Sequence, residues 1–138
     1  GVEAFLEHLH RLGFRSLMQP AEYYGNGLAL GNGEVTLFEL VQAYTTLARQ
    51  GVFEPLRIVP YDVATVVPGR RVYSAEVSAL IADILADPEA RRREFQRANL
   101  LRFPVETAVK TGTSSVFRDA WAVGFSQHYT AGVWMGNL

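Results

Sequence analysis

The stretch that decides the fold is Glu106-Thr-Ala-Val-Lys-Thr-Gly-Thr-Ser114, and it contains the only lysine of the chain, Lys110. Its residues are mostly β-prone, so it predicts a strand. Because strand side chains alternate, Lys110 and Gly112 are predicted on one face and Thr111 and Thr113 on the other. Gly112 has no side chain, so a ligand or another backbone can come close there. The stretch therefore predicts a strand that offers a cation, hydroxyls and a backbone N–H to an anionic group.

The residues around this stretch carry a family resemblance. Lys-Thr-Gly is one of three short signatures of penicillin-binding proteins and serine β-lactamases, beside Ser-x-x-Lys and Ser-Asp-Asn. The run from Lys110 to Gly136, with Phe117-Arg-Asp-Ala-Trp121 and Gly132-Val-Trp134 inside it, resembles the end of the transpeptidase domain of class A penicillin-binding proteins, most of all the 1C type. Leu28-Ala-Leu-Gly-Asn-Gly-Glu-Val-Thr36 resembles the same family, so the resemblance spans most of the chain.

The resemblance implies a fold and a set of roles. The fold is α+β, the arrangement of penicillin-binding proteins and serine β-lactamases, with helices packed on an antiparallel sheet. Lys110 would offer positive charge to the ligand carboxylate and tune the catalytic groups, while the hydroxyls of Thr111 and Thr113 would bind that carboxylate. The Thr113 N–H would supply half of an oxyanion hole, which makes Lys110 and Thr113 the candidate catalytic residues. Gly112 would let the substrate lie along the strand edge, so Lys110, Thr111, Gly112 and Thr113 are the candidate substrate-binding residues.

Alternation along the strand leaves one question open at this point. Thr111 and Thr113 are predicted on the face opposite Lys110. All three can therefore contact one ligand only if the strand is strongly twisted or the ligand lies along its edge. A purely structural interpretation also remains, in which Lys110 is a strand lysine that protects an edge from aggregation.

Two further motifs of the family are missing from the chain. In the family the nucleophile is the serine of Ser-x-x-Lys, but Thr107 stands three residues before Lys110, and on a strand the two point to opposite faces. A Ser-x-Asn motif is also missing, because neither Asn26 nor Asn32, the two asparagines in a plausible position, has a serine two positions earlier. We therefore expect residues 1–138 to be the C-terminal portion of a transpeptidase domain, with both motifs outside it, and the isolated chain to be inactive.

Two function hypotheses from different classes follow from the resemblance. In the first, the parent is a peptidoglycan D,D-transpeptidase that cross-links stem peptides through a serine acyl-enzyme, with β-lactams as ligands and the upstream part of the same protein as partner. Class A resemblance implies a membrane-anchored protein with a glycosyltransferase domain, acting at the periplasmic face of the inner membrane, with the anchor outside this chain. The alternative is a non-catalytic transpeptidase-like module that binds peptidoglycan or a protein partner.

Composition limits the other classes of function. The chain of 138 residues has 49% hydrophobic residues and a net charge of -1, which argues against a nucleic-acid partner. No apolar run approaches the ~20 residues that span a bilayer. The chain has no cysteine, so thiolate metal sites are excluded, and His8 and His10 are two apart on a predicted helix, where they do not face each other. We expect no metal and no cofactor, and both histidines are predicted to face solvent.

Helices are predicted in the first two thirds of the chain. The first is residues 2–12, and residues 14–35 are predicted to be a loop with tight turns. Thr36-Leu-Phe-Glu39 is a capping box that should begin a helix ending near Gln50. Ser74 should cap another, and Asp87-Pro88 should begin a short one. The predicted buried faces of the two longer helices are Leu37, Leu40, Val41, Tyr44 and Leu47, and then Val77, Leu80, Ile81, Ile84 and Leu85.

Strands are predicted elsewhere. Short ones are expected at Leu56–Val59 and Val63–Val67, and Arg91–Arg93 is interpreted as a solvated face. In residues 119–125, large apolar residues alternate with small ones, so we expect helices close against the small face. Residues 129–135 are similar, and Ser126-Gln-His128 between them is hairpin-sized, with His128 exposed. Three strands with short connections predict an antiparallel sheet, and helices that precede it predict the class α+β.

Overall fold

The computed structural model describes residues 1–58, 67–92, 103–114 and 118–137, without the side chains of residues 91 and 92. Within these ranges three long strands follow the helices, which confirms the α+β class. The helices are α1 (Val2–Arg11), α2 (Ala21–Tyr24), a 3₁₀ helix (Gly25–Leu30), α3 (Leu37–Ala48), α4 (Ala75–Ala86) and α5 (Pro88–Arg92). The strands are β1 (Val52–Phe53), β2 (Arg70–Arg71), β3 (Ala108–Thr113), β4 (Asp119–Phe125) and β5 (Thr130–Gly136).

The first core forms around α1. The predicted helix is confirmed, and it ends where Gly13 takes a left-handed φ of 93°. The predicted loop at 14–35 is partly wrong, because it contains α2 and the 3₁₀ helix. Burial in this core, which no periodic pattern revealed, orders the segment. The buried residues of the core are Leu6, Leu12, Phe14, Leu17, Ala21, Tyr24, Leu28 and Ala43.

The start of α3 is fixed by the Glu39 carboxylate. The predicted capping box is confirmed, since the Thr36 side chain accepts from the Glu39 N–H at 3.2 Å and the Thr36 N–H donates back to Glu39 Oε2 at 3.0 Å. The same carboxylate also accepts from the backbone N–H groups of Arg15 at 2.8 Å and Ser16 at 2.9 Å, and from Ser16 Oγ at 2.6 Å. Glu39 is buried, so it joins the loop after α1 to the first turn of α3.

The predicted buried faces of α3 and α4 are wrong in part. The most buried residues of α3 are Glu39, Gln42, Ala43 and Thr46, whereas its predicted apolar face is only half-buried, because this helix packs on two sides. In α4, Ser78 is buried, and its Oγ packs closely on Gly51. A Cβ added to Gly51 would stand only 2.9 Å from that oxygen. This close approach turns the opposite side of α4 outward, so three of its five predicted core residues are exposed: Val77, Leu80 and Ile84.

Other local predictions have mixed outcomes. Ser74 caps α4 by accepting from the Val77 N–H, and α5 begins at Pro88, as predicted. The described part of the predicted first strand, Leu56–Ile58, forms no strand. Val67, the described end of the second, forms none either, and the predictions for Val59, for residues 63–66 and for the Arg91–Arg93 side chains lie outside the described parts of the chain.

The histidines of α1 are not both free in solvent. His8 is half-buried, and its Nε2 lies 2.8 Å from the Tyr73 hydroxyl, because the chain after β2 packs on α1 there. His10 is exposed, yet its Nε2 lies 2.8 Å from the Leu17 carbonyl oxygen. Among the described residues, no group of three or more potential metal ligands comes together.

The main sheet is antiparallel, as predicted, in the order β3-β4-β5. Lys110 pairs with Val123, and Val123 pairs with Gly132. Directly paired residues share a face, so Lys110 lies on the face of the large side chains of β4. The connection to β5 is one residue longer than predicted, since Tyr129 precedes the strand and is exposed, as is His128.

Helix α3 packs on this large-residue face rather than on the small face against which helices were predicted. A Cβ on Gly132 would stand 2.5 Å from Val41 Cγ2 and 3.1 Å from Leu37 Cδ1. Gly132 therefore provides the space in which α3 sits, beside the buried Val123. On the opposite face, Val133 and Met135 are exposed among the described residues.

Gly132→Ala should destabilise the protein, because the added methyl overlaps a packed helix; overpacking of this kind costs roughly 1–3 kcal/mol. Gly112→Ala is the matched control on the same sheet face, since its Cβ would meet only Trp121 Cβ, at 3.8 Å. Urea unfolding of the two variants measures the difference. Equal midpoints for the two variants would contradict the packing of α3 on Gly132.

Glu39 should make stability depend on pH. Burial on its own raises the pKa of Glu39, but hydrogen bonds from Ser16 and Thr36 outweigh it and lower the pKa from 4.5 to about 2. The contribution is therefore complete above about pH 4.5 and is lost as the pH falls toward 2, and a shift of this size corresponds to roughly 3 kcal/mol. Glu39→Gln should lose most of this contribution to the free energy of unfolding at pH 7.

The measurement is urea unfolding at pH 7 and at pH 3, with Glu34→Gln as control because the Glu34 side chain is exposed five residues earlier. The gap between wild type and Glu39→Gln should narrow at pH 3, while the Glu34→Gln gap stays small. A Glu39→Gln gap of the same size at both pH values would show that the carboxylate charge contributes nothing.

Candidate functional site

The four predicted site residues all lie on β3, at one end of the sheet. The register confirms the predicted alternation, because Lys110 and Gly112 pair with Val123 and Trp121 on the large-residue face, and Thr111 pairs with Ala122 on the other. No described strand pairs with the outer side of β3. Lys110, Gly112 and Thr113 are exposed. The site is therefore an open strand edge bordered by one face that carries the lysine.

The hydrogen bonds to β4 set the phase of β3, that is, which of its N–H and C=O groups point toward β4 and which point outward at that edge. The Ser114 N–H donates to the Asp119 carbonyl oxygen at 2.9 Å, so this pair is a hydrogen-bonded pair of the antiparallel ladder. Such pairs alternate with pairs whose N–H and C=O groups point away from the partner strand. Counting back from Ser114, Gly112 points toward β4, whereas Thr113 and Thr111 point outward. The outer edge thus presents the Thr113 N–H and the Thr111 carbonyl.

Lys110 lies beside this edge. Among the described residues an ion pair joins Arg49 and Glu54, and no carboxylate pairs with Lys110. Its Nζ donates to the Thr111 carbonyl oxygen at 2.6 Å. The ammonium group therefore leans toward the strand edge although its side chain starts from the large-residue face. The lysine and the outward N–H of Thr113 therefore border the same strand edge, while the Thr111 and Thr113 side chains start from the opposite face.

The surface next to Lys110 is open because α3 covers only part of the face. The helix packs at Gly132 and Val123, whereas Gly112 and the half-buried Trp121 lie further along the sheet. A Cβ on Gly112 would make only one ordinary contact among the described residues, with Trp121. Packing of the described residues thus does not require glycine there, and the missing side chain leaves the surface beside the edge unobstructed.

Two contacts at the end of β3 were not predicted from the sequence. The Asp119 N–H donates to Ser114 Oγ at 2.8 Å, and Trp134 Nε1 donates to Asp119 Oδ1 at 2.9 Å. The Trp134 hydrogen bond, followed by those of Ser114 and the charge of Arg118, lowers the pKa of Asp119. An acidic residue at the start of an otherwise apolar strand was the available signal. Ser114 is engaged in these bonds through its side chain and its backbone.

Tyr44, predicted to be a core residue, is half-buried on α3, and burial raises its pKa. None of the described helices is both long enough and apolar enough to cross a membrane.

Comparison with known proteins places this strand edge in a family. The family model described as the penicillin binding protein transpeptidase domain matches residues 1–136. The chain therefore belongs to the penicillin-binding-protein transpeptidase family, which confirms the resemblance read from the Lys-Thr-Gly-Thr strand.

Individual relatives agree. Penicillin-binding protein 1C of Escherichia coli is 31% identical over 137 residues, which are 99% of this chain and 17% of that protein. Penicillin-binding protein 1A of Aquifex aeolicus is 33% identical over 147 residues, 99% of this chain and 19% of that protein. These relatives are class A penicillin-binding proteins, and the chain spans less than a fifth of their length.

A solved structure is similar in fold. The apo transpeptidase domain of penicillin-binding protein 3 from Burkholderia pseudomallei has a TM-score of 0.58 and 22% identity, covering 80% of this chain and 37% of that one. The likeness supports the α+β fold of helices packed on an antiparallel sheet.

The outward phase of β3 can be measured by amide hydrogen exchange in NMR. The Thr113 N–H should exchange on the order of tenfold faster, or more, than the Gly112 N–H, which points toward β4. Ser114 controls for fraying, because it lies nearer the strand end yet its N–H is bonded to Asp119. Thr113 protection equal to that of both neighbours would contradict the outward phase, and protection greater than theirs would show the opposite phase.

Proposed function

We propose that this chain supplies the Lys-Thr-Gly-Thr strand of a peptidoglycan D,D-transpeptidase, which cross-links stem peptides through a serine acyl-enzyme and binds β-lactams. The observation that carries the proposal is the outward Thr113 N–H beside Lys110, which forms no ion pair with the described residues, on a strand edge of a transpeptidase-family chain. A carbonyl oxygen that becomes negatively charged during acyl transfer needs such a donor, already in place, in a site that a substrate can enter.

Each residue of the strand has a role in this proposal. As its proton passes to a base that is proposed to lie outside residues 1–138 with the serine, the serine oxygen attacks the carbonyl carbon of the stem peptide. The carbonyl electron pair moves to the oxygen, and the Thr113 N–H donates to that oxyanion. When the electron pair returns, the amide C–N bond breaks, the nitrogen takes the proton from the base and leaves as an amine, and an acyl-enzyme remains. Lys110 offers positive charge to the ligand carboxylate, and the hydroxyls of Thr111 and Thr113 bind it. Gly112 lets the ligand lie against the strand.

The nucleophile itself is proposed to lie outside residues 1–138. The sequence contains no Ser-x-x-Lys, and Ser114 Oγ already accepts a hydrogen bond from the Asp119 N–H. The second donor of the oxyanion hole would come with that serine. The isolated chain would then hold half a hole and no nucleophile, so intact mass after incubation with penicillin should be unchanged. The upstream part of the same protein is its first partner, and no cofactor or metal enters the proposal.

The absence of Ser-x-x-Lys and Ser-x-Asn from this sequence favours a second candidate function. A transpeptidase-like domain without a serine nucleophile would bind peptidoglycan or a protein partner without turnover. The residues that precede Gly1 in the longer protein separate the two hypotheses. Ser-x-x-Lys together with Ser-x-Asn there supports the enzyme, and their absence supports the binding module.

The proposed location follows from the class A relatives. The longer protein would be anchored in the inner membrane, carry a glycosyltransferase domain and act at the periplasmic, extracytoplasmic face. The substrate supports this location, because a peptidoglycan cross-linking enzyme must reach a polymer that lies outside the cytoplasmic membrane. The anchor would lie outside this chain.

Thr113→Pro tests the oxyanion role in the longer protein. Proline removes the N–H, and it is tolerated on a strand edge where that N–H makes no ladder bond. Acylation by a fluorescent penicillin should slow by roughly 10²-fold, the usual effect of deleting one oxyanion donor.

Thr113→Val is the matched variant, because valine removes the hydroxyl and keeps the N–H. It should weaken binding more than it slows acylation. Thermal melting of both variants checks that the sheet is intact. Acylation by Thr113→Pro at the rate of Thr113→Val would remove the N–H from the mechanism.

A further inference from the structure

Ser114, the residue after Thr113, is held in place by Asp119. The Ser114 N–H donates to the Asp119 carbonyl oxygen at 2.9 Å, and the Asp119 N–H donates to Ser114 Oγ at 2.8 Å. Ser114 is thus bonded through both its backbone and its side chain to the first residue of β4. The peptide plane that carries the Thr113 N–H is only one residue away, so its direction depends on this closure of the strand end.

Asp119 is held in turn from β5. Trp134 Nε1 donates to Asp119 Oδ1 at 2.9 Å, across the diagonal of the β4–β5 pair, because Asp119 itself pairs with Gly136. A Cβ on Gly136 would stand 2.7 Å from Trp134 Cζ2 and 2.9 Å from Asp119 Oδ1. The glycine therefore leaves the space through which the indole reaches the carboxylate.

We propose that Asp119 is a positioning residue for the Thr113 N–H, acting through the hydrogen-bonded link Trp134–Asp119–Ser114. This inference rests on the function proposed above, in which that N–H meets the oxyanion. The backbone ladder joins β3 to β4 and β4 to β5 along their whole lengths without help from any side chain. The link adds bonds only at the end next to Thr113, where a small rotation of the peptide changes where its N–H points.

The direction of an oxyanion donor is costly to lose. Such a donor acts at about 2.7–3.1 Å from the oxyanion, and a displacement of about 1 Å in a site of this kind can slow the reaction roughly 10²-fold. The Asp119 carboxylate bonds the Trp134 indole, and its main-chain N–H and C=O bond Ser114, so in the proposed arrangement Asp119 has no contact with the ligand carboxylate or the oxyanion. Its loss should therefore lower the limiting rate of acylation and leave ligand binding nearly unchanged.

The test uses the longer protein that contains this chain and a fluorescent penicillin, with the limiting acylation rate and the dissociation constant measured separately. Asp119→Ala should lower the limiting rate by about tenfold, with a change in the dissociation constant below about threefold. Asp119→Asn should restore most of the rate, because the amide oxygen can still accept from the Trp134 indole. Rescue by this variant would not be expected if the charge itself were needed.

A double-mutant cycle examines the link. Trp134→Phe should slow acylation in the same way as Asp119→Ala, and the double variant should be no slower than the slower single variant, because both remove one connection. Asp83→Ala is the control, since Asp83 is an exposed acidic residue on α4. It should acylate like wild type, and melting temperatures of all variants report on the fold.

The outcomes separate this inference from the proposed function. If wild type is acylated and Asp119→Ala matches it in limiting rate, the positioning role is overturned and the transpeptidase function stands. Asp119→Asn as slow as Asp119→Ala, or fully additive effects of Asp119→Ala and Trp134→Phe, would also overturn it. If the longer wild-type protein forms no adduct, the proposed function fails, and the positioning role fails with it.

Discussion

The packing of α3 against the sheet is the interaction on which the rest of the structure depends. On one side α3 contributes Ala43 to the core around α1. On the other, its side chains Leu37 and Val41 fill the space that Gly132 leaves on the sheet. The Glu39 carboxylate fixes the start of this helix and the loop after α1 together. One helix thereby joins the helical part of the chain to the strands that carry the site.

This packing also explains why the site is open. Helix α3 covers the large-residue face only near Val123. The part of that face at Gly112 and Lys110 therefore stays exposed. The strand that carries Lys110 lies at the end of the sheet, so its outward N–H and C=O groups remain available among the described residues. A ligand that bound along this strand would need both features, an uncovered face and an unpaired edge next to each other.

Local chemistry was predictable where the signal lies within a few residues. The capping box of Thr36 and Glu39 was read from four consecutive residues, since its hydrogen bonds close within one turn of helix. The alternation of Lys110 and Thr111 followed from the geometry of any strand. By contrast, the exposed Leu80 and the buried Ser78 reversed the expectation for α4, because burial depends on which partner packs against the helix.

The sequence by itself determined the α+β class, the strand of candidate site residues and the family, because periodicity, caps and a run of specific residues are local properties. Only the tertiary structure decided the rest. It placed α3 on the large-residue face, since an empty space at Gly132 has no local signature. It set the outward phase of Thr113, since one hydrogen bond between Ser114 and Asp119 fixes the phase of the whole ladder. It also brought Trp134 to Asp119, because a contact across fifteen residues depends on strand register rather than on sequence pattern.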